Sequence, residues 1–235
     1  MKNPSELRVR LDGGTGAATT ALVYSAAEPG VDAALILGHG AGAGQRSTFM
    51  VDFARALSAL GADVITFNFL YTEHRRKIPD RAPALEACYR AVIDAVRGEV
   101  ASARRALFIG GKSMGGRIST QVAAADPQLI LAGLVLLGYP LHPPGKPEQR
   151  RDKHLPAIAR PMLFVQGSRD AFGTPAELTP IIGSLQPASA LHVVQNGDHS
   201  LKLSRKDPAA QAAAYADAQR AIISFIVQTS RAGHR

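Results

Sequence analysis

The run Ala106-Leu107-Phe108-Ile109-Gly110-Gly111-Lys112-Ser113-Met114-Gly115-Gly116 constrains this chain more than any other, because an apolar strand-like stretch ends in Gly-x-Ser-x-Gly and passes directly into a helix-like segment. A serine on so sharp a strand-to-helix turn adopts strained backbone angles. Gly111 and Gly115 are expected where side chains would collide with the neighbouring strand and helix. Such a turn lifts the Ser113 Oγ to the sheet edge and aims the Met114 N–H, at a helix N-terminus, toward a developing oxyanion. The same letters form a degenerate phosphate loop, Ala106-x4-Gly111-Lys112-Ser113. The residues that would have to supply its flexible cradle, Leu107, Phe108 and Ile109, are strand formers, which argues against that reading.

A nucleophile of this kind needs an acid and a histidine, in that order along the chain, each in a loop after a strand. The buried-strand pattern Arg160-Pro161-Met162-Leu163-Phe164-Val165-Gln166 is followed by Gly167-Ser168-Arg169-Asp170. A second strand pattern, Ala190-Leu191-His192-Val193-Val194-Gln195, is followed by Asn196-Gly197-Asp198-His199. Ser113, Asp170 and His199 are therefore the expected triad. Ser113 attacks a carbonyl, His199 takes and returns the proton, and Asp170 fixes the imidazole tautomer and stabilises the imidazolium. Asp198 is a competing acid, and position after the strand favours Asp170. The run from Leu134 to Pro140 leads into Leu141 and His142 with no acid at hand. His74, His154, His192 and His234 are read as surface or packing residues.

A second oxyanion donor is expected from the loop after the third strand. Ala33-Ala34-Leu35-Ile36-Leu37 leads into Gly38-His39-Gly40-Ala41-Gly42-Ala43-Gly44, whose small residues let backbone approach a substrate closely. Ala41 N–H is the favoured donor, ahead of Gly40. Gly38-x-Gly40-x-x-Ala43 also fits a dinucleotide fingerprint. Against it, the next helix begins only near Ser47, and the following strand ends at Phe67-Asn68-Phe69 without the acid a ribose would want.

The rest of the chain alternates strand and helix patterns with no boundary or repeat, which predicts one α/β domain over residues 1–235 with a mostly parallel sheet covered by helices on both faces. Leu7-Arg8-Val9-Arg10-Leu11 and Thr20-Ala21-Leu22-Val23-Tyr24 alternate as half-exposed antiparallel strands at the sheet edge, with Asp12-Gly13-Gly14 turning between them. Residues 35–37, 64–69, 107–109, 134–137, 162–165 and 191–194 are continuously apolar, as parallel strands covered on both faces are. Thr174-Pro175-Ala176-Glu177 is a capping box, and Asp207-Pro208 opens the last helix. Only a short Pro-rich, charged segment separates Tyr139 from Arg160, so a cap is minimal or missing. The site should be shallow and open, rimmed by residues 38–46, 71–83 and 139–153. Arg117, one turn past Ser113, is read first as a packing or helix-anchoring salt bridge and second as a group that meets a substrate anion.

The 235 residues suit a single domain that buries roughly 70% of its unfolded surface. One cysteine, Cys88, excludes an intramolecular disulfide framework and reads as a small buried hydrophobe. The net charge of +8 is spread along the chain, and no aromatic interleaving or nucleic-acid motif accompanies its clusters. The start of the sequence shows no apolar signal core, and no run approaches the length needed to cross a bilayer. A cytoplasmic protein that engages neither nucleic acid nor membrane is the expectation.

His39-Gly40-Ala41-Gly42, Pro79-Asp80-Arg81-Ala82-Pro83, Gly111-Lys112-Ser113-Met114-Gly115-Gly116-Arg117, Gly138-Tyr139-Pro140-Leu141-His142-Pro143-Pro144-Gly145 and Val165-Gln166-Gly167-Ser168-Arg169-Asp170 together resemble the Tex30-like branch of the α/β-hydrolases, small proteins related to the dienelactone hydrolases. The likeness runs from about Ala33 to the C-terminal helix. It implies the α/β-hydrolase fold and a complete triad, and some relatives are parts of protein complexes. Dienelactone hydrolases proper use a cysteine nucleophile, so lactone specificity does not carry over to Ser113. The expected function is cleavage of an ester, thioester or similar acyl bond of a small molecule through an acyl-enzyme, without metal or organic cofactor. The competing class is a non-catalytic interaction module, which would not need all three triad residues. The sequence sets no oligomeric state.

Overall fold

Strands that are apolar at every position have no face to give to water, so the sheet they form must be covered twice. The computed structural model describes residues 3–11, 16–28, 30–203 and 207–232. In chain order its elements are β1 (Ser5–Arg10), β2 (Ala18–Tyr24), β3 (Ala34–Gly38), α1 (Thr48–Ala59), β4 (Asp63–Phe67), α2 (Leu70–Glu73), α3 (Ala82–Glu99), α4 (Ala101–Arg105), β5 (Leu107–Lys112), α5 (Met114–Ala125), β6 (Gly133–Leu137), β7 (Met162–Gly167), α6 (Pro175–Ser184), β8 (Ala190–Val194) and α7 (Pro208–Ala232). They build one sheet in the order β1-β2-β4-β3-β5-β6-β7-β8. The β1–β2 and β2–β4 pairings are antiparallel, and all others are parallel.

Side chains alternate across a strand, and here the alternation sorts two cores. Ile36, Ile109, Leu134, Leu136 and Phe164 join Val92 and Val96 of α3, Ile118 and Val122 of α5 and Leu178 of α6. Their strand neighbours Leu35, Leu37, Phe108, Val135 and Val165 join Phe53 and Leu57 of α1 and Ile222 and Ile226 of α7. Each such side chain contributes about 1.5–3 kcal/mol when removed from water. Helix starts follow the sequence signals. Ser47 precedes α1, and the capping box at α6 is formed, with the Thr174 N–H donating to Glu177 Oε2 at 2.8 Å.

The last strand, β8, packs against α6 on one face and α7 on the other, yet as the sheet edge it is less buried than the inner strands: Ala190 is exposed and Leu191, His192 and Val193 are half-buried. The Asp12-Gly13-Gly14 turn and His234 fall outside the described residues.

The sheet places function at one point. After β3 the chain adds β4 on one side and β5 on the other, so the loops leaving the C-terminal ends of β3 and β5 diverge and leave a crevice between them. Beneath that crevice a side chain braces the β3–β5 pair, whose register runs unbroken from Ala34 opposite Leu107 to Gly38 opposite Gly111. The fully buried Tyr89 hydroxyl accepts the Gly110 N–H at 3.0 Å, and its own proton faces the Gly110 carbonyl at 2.6 Å and the Ile36 carbonyl at 3.1 Å. Burial pushes the phenol pKa up, keeping it a neutral donor. Tyr89→Phe would strand a buried N–H, a loss of about 1–3 kcal/mol. Thermal unfolding should therefore fall by roughly 3–10 °C for a chain of this size, and an unchanged midpoint would show that the β3–β5 pair needs no such brace.

Candidate active site

Ser113 sits between the last residue of β5 and the first of α5, at φ 51° and ψ −114°. Such backbone costs a non-glycine residue of order 1–3 kcal/mol and persists only where surroundings impose it. Here the Ser113 N–H donates to the Leu137 carbonyl at 2.9 Å, and the Ser113 carbonyl accepts the Arg117 N–H at 3.0 Å. Both flanking glycines press on the end of β3: a Cβ on Gly111 would lie 2.3 Å from the Gly38 carbonyl oxygen, and one on Gly115 2.1 Å from the same atom. The Gly-x-Ser-x-Gly spacing is thus the condition for β3 and the turn to touch. The phosphate-loop alternative fails here, because Leu107, Phe108 and Ile109 are strand.

The structure brings together the three residues expected from distant loops. Ser113 Oγ lies 2.8 Å from His199 Nε2, and His199 Nδ1 lies 2.8 and 3.0 Å from the two oxygens of Asp170. A carboxylate at Nδ1 fixes the proton there and leaves Nε2 as the acceptor of the serine hydroxyl. Asp170 is 1% exposed, and its oxygens also accept the Phe172 N–H and a Gln166 Nε2–H, each at 2.8 Å. The Phe172 ring stacks on the imidazole at 4.1 Å. Asp198 is turned elsewhere, accepting the N–H groups of Ser200 and Lys202 at 2.7 and 2.9 Å, and so shapes the loop that carries His199. Sequence reasoning misses Gln166, whose Oε1 also accepts the Tyr139 N–H at 2.8 Å. Its one signal was an amide side chain at the end of an otherwise apolar strand.

Lys112 is the second residue not anticipated. Its side chain is buried, and its ammonium donates to the His199 carbonyl, tying the histidine loop to the elbow. Burial lowers its pKa to about 8 against the opposing pull of Asp170 and Asp198. Gly138, at φ 60°, leaves room for this tie, since a Cβ there would lie 2.6 Å from the His199 carbonyl and 3.2 Å from the ammonium.

On the other side of Ser113 lies the loop after β3. His39 is fully buried, and its Nε2 accepts the Phe69 N–H at 3.1 Å, so its proton is on Nδ1 and is donated to the Gly40 carbonyl at 2.8 Å. In a planar trans peptide the carbonyl and the following N–H point in opposite directions. The Ala41 N–H is thereby turned away from buried His39, and Gly40 and Ala41 line the same cleft as Ser113. Tyr71 Oη donates to the Ala41 carbonyl at 2.8 Å and fixes the next peptide. The Met114 N–H stands at the first position of α5, where no intrahelical acceptor exists. Gly40, Ala41 and Met114 thus all line the cleft with Ser113.

The cleft has a volume of about 630 Å³, within the range of small-molecule sites. Parts of the expected rim line it, among them Ala43, Pro79, Pro140 and Arg151, but so do Phe49 and Met50 of α1 and Leu85 of α3. Apolar residues of two helices thus form part of its wall, beside the charged, proline-rich loops. A 3-10 turn at Leu155–Ala157 is the only helical element between β6 and β7 among the described residues, so no cap covers the cleft. Arg117 is half-buried and its Nη1 reaches Gln121 Oε1 at 3.4 Å on its own helix, as the packing reading expects, but it makes no ion pair within 4 Å among the described residues. Cys88 is buried with its thiol pKa pushed up to about 12, as a packing residue would be.

His39 gives this loop a pH signature. Burial lowers its pKa from 6.5 to about 4, so below pH 6.5 the unfolded chain takes up a proton that the folded one refuses. Stability is therefore retained above pH 6.5 and lost progressively toward pH 4, by up to about 3 kcal/mol from this group. Urea unfolding of His39→Asn should show a shallower acid slope than the parent; parallel slopes would contradict the buried neutral imidazole.

Residues 31–227 match the alpha/beta hydrolase domain family. Among solved structures, the chain is similar to an α/β serine hydrolase without lid from Xanthomonas campestris, with 21% identity over 94% of this chain and 95% of that one and a TM-score of 0.68. It is also similar to dienelactone hydrolase from Anabaena variabilis, with 18% identity, coverage of 93% and 97%, and a TM-score of 0.68. A third is the esterase domain of a Rhodothermus marinus protein, with 12% identity, coverage of 93% and 97%, and a TM-score of 0.67. At these identities the structural likenesses concern the fold, whereas the family match spans most of the sequence: the chain belongs to the α/β-hydrolase domain family.

Proposed function

We propose that this chain is a single-domain serine hydrolase that cleaves an ester, thioester or similar acyl bond of a small molecule through an acyl-enzyme. The observation that carries the reading is the continuous hydrogen-bonded line from Ser113 Oγ through His199 to buried Asp170, opening into the cleft. His199 Nε2 takes the hydroxyl proton as Ser113 Oγ bonds to the substrate carbonyl carbon. The oxygen gains the negative charge and is met by the N–H groups of Met114 and Ala41. Collapse expels the alcohol or thiol, which receives the proton from His199. Water then repeats the sequence on the acyl-serine and releases the acid.

Asp170 makes this possible by holding Nδ1–H and stabilising the imidazolium, and Gln166 and the Phe172 N–H hold Asp170 in turn. The chemistry uses side chains and backbone only, without metal or cofactor. The strained backbone at Ser113 supports an enzyme over a non-catalytic interaction module, because binding a partner gives no reason to hold a serine there. Within the family we place the chain in the Tex30-like branch, on the five motif phrases it shares with that group.

The choice of acid is decisive. With 4-nitrophenyl acetate as substrate, Asp170→Asn should lower kcat on the order of 10⁴-fold while the protein stays folded. Asp198→Asn should cost far less. Equal losses, or a reversed ranking, would show that the hydrogen-bonded line is not the working one.

A further inference from the structure

The cleft beside Ser113 is electrostatically one-sided. Arg117 enters it from the first turn of α5, four residues after Ser113, and Arg151 enters it from the segment between β6 and β7. They are close enough that burial and then the Arg151 charge lower the Arg117 pKa. Among the described residues neither has a carboxylate within ion-pair distance. Asp80, which also lines the cleft, is held by Arg76 at 2.7 Å, and Asp152 beside Arg151 is taken by Arg150. Glu86 acts on Arg117 only from beyond that distance.

The backbone of Arg151 is pinned, its N–H donating to the Leu141 carbonyl at 2.8 Å and its carbonyl accepting the Tyr139 hydroxyl at 2.7 Å. Its side chain is left to the cleft. Bringing two guanidinium groups together in a partly desolvated pocket is unfavourable unless an anion joins them, and the planar guanidinium fork matches a carboxylate or a phosphoryl group.

Resting on the acyl-hydrolase reading above, we propose that Arg117 and Arg151 form a substrate-anion subsite, so that the preferred acyl substrates carry a carboxylate or phosphoryl group a few bonds from the scissile carbonyl. Phe49 and Met50, which also line the cleft, offer apolar surface to the remainder of the substrate. A helical turn separates Arg117 from the nucleophile, which sets a reach of several ångströms, about that of a succinyl chain.

Two measurements test this. The first compares kcat/KM, by ethanol release, for ethyl 4-methylpentanoate, monoethyl succinate and ethyl 3-phosphonopropanoate, which share a leaving group and differ in the charge at the far end of the acyl chain. At least one charged ester should exceed the neutral one by about tenfold or more, and raising the salt concentration should shrink that ratio. The ratio should fall by about tenfold in Arg117→Gln and in Arg151→Gln, with partial recovery in Arg117→Lys. Whichever anion gains more identifies carboxylate or phosphoryl recognition. If the neutral ester is turned over as well as both charged ones, the subsite is overturned while the hydrolase reading stands.

The second is calorimetric titration of Ser113→Ala with the same two charged esters, which does not depend on turnover. Saturable binding that disappears in Ser113→Ala/Arg117→Gln supports the subsite even if no ester is cleaved by the parent protein, the result that would sink the hydrolase reading instead. No binding of either anion overturns the subsite.

Discussion

The end of β3 touches the serine turn through backbone alone, and much of the site follows from that contact. The Gly38 carbonyl occupies the space that side chains on Gly111 and Gly115 would fill. This contact lets β3 run beside β5 in register, Gly38 opposite Gly111, so that the loop leaving β3 passes over Ser113. His39 then holds the Gly40 carbonyl and, through peptide planarity, the direction of the Ala41 N–H. A methyl group at either elbow glycine would push the Gly38 carbonyl away from the serine turn or break the pairing. The serine turn and the loop after β3 are in this sense one structural unit.

The acid side of the site rests on a different device, buried polar groups that satisfy one another. Asp170 is almost without solvent contact, and an ionised carboxylate in such a place needs hydrogen bonds to remain charged. The Phe172 N–H, Gln166 and His199 supply them. Gln166 links Asp170 to the Tyr139 peptide at the end of β6, and Lys112 links the His199 loop to the end of β5. Three neighbouring strands therefore fix the geometry of one imidazole. Arg117 and Arg151 stand apart from this arrangement: among the described residues neither has a carboxylate within ion-pair distance.

What was legible in the sequence was whatever local chemistry dictates. The Gly-x-Ser-x-Gly turn, the capping box at Thr174 and the uninterrupted apolar strands each follow from short-range geometry, and Asp170 and His199 were found because each closely follows a strand pattern. Gln166, Lys112, His39 and Tyr89 carry no assignment from the sequence, since their partners lie 20 or more residues away in most cases and only Gln166, an amide closing an apolar strand, stands out among its neighbouring letters. The same limit explains the cleft: Phe49 and Met50 reach it from a helix that the rim loops do not include. It also explains β8, whose letters suit a buried strand but whose place at the sheet edge depends on the order of all eight strands.

The proposed chemistry depends on activation of Ser113 by the imidazole 2.8 Å away. Incubation with a fluorophosphonate and mass-spectrometric mapping of the adduct tests this most directly. One modified residue is expected, Ser113, with labelling abolished in Ser113→Ala and slowed by orders of magnitude in His199→Ala. Labelling at another serine, or at Ser113 with equal speed when His199 is replaced, would contradict it.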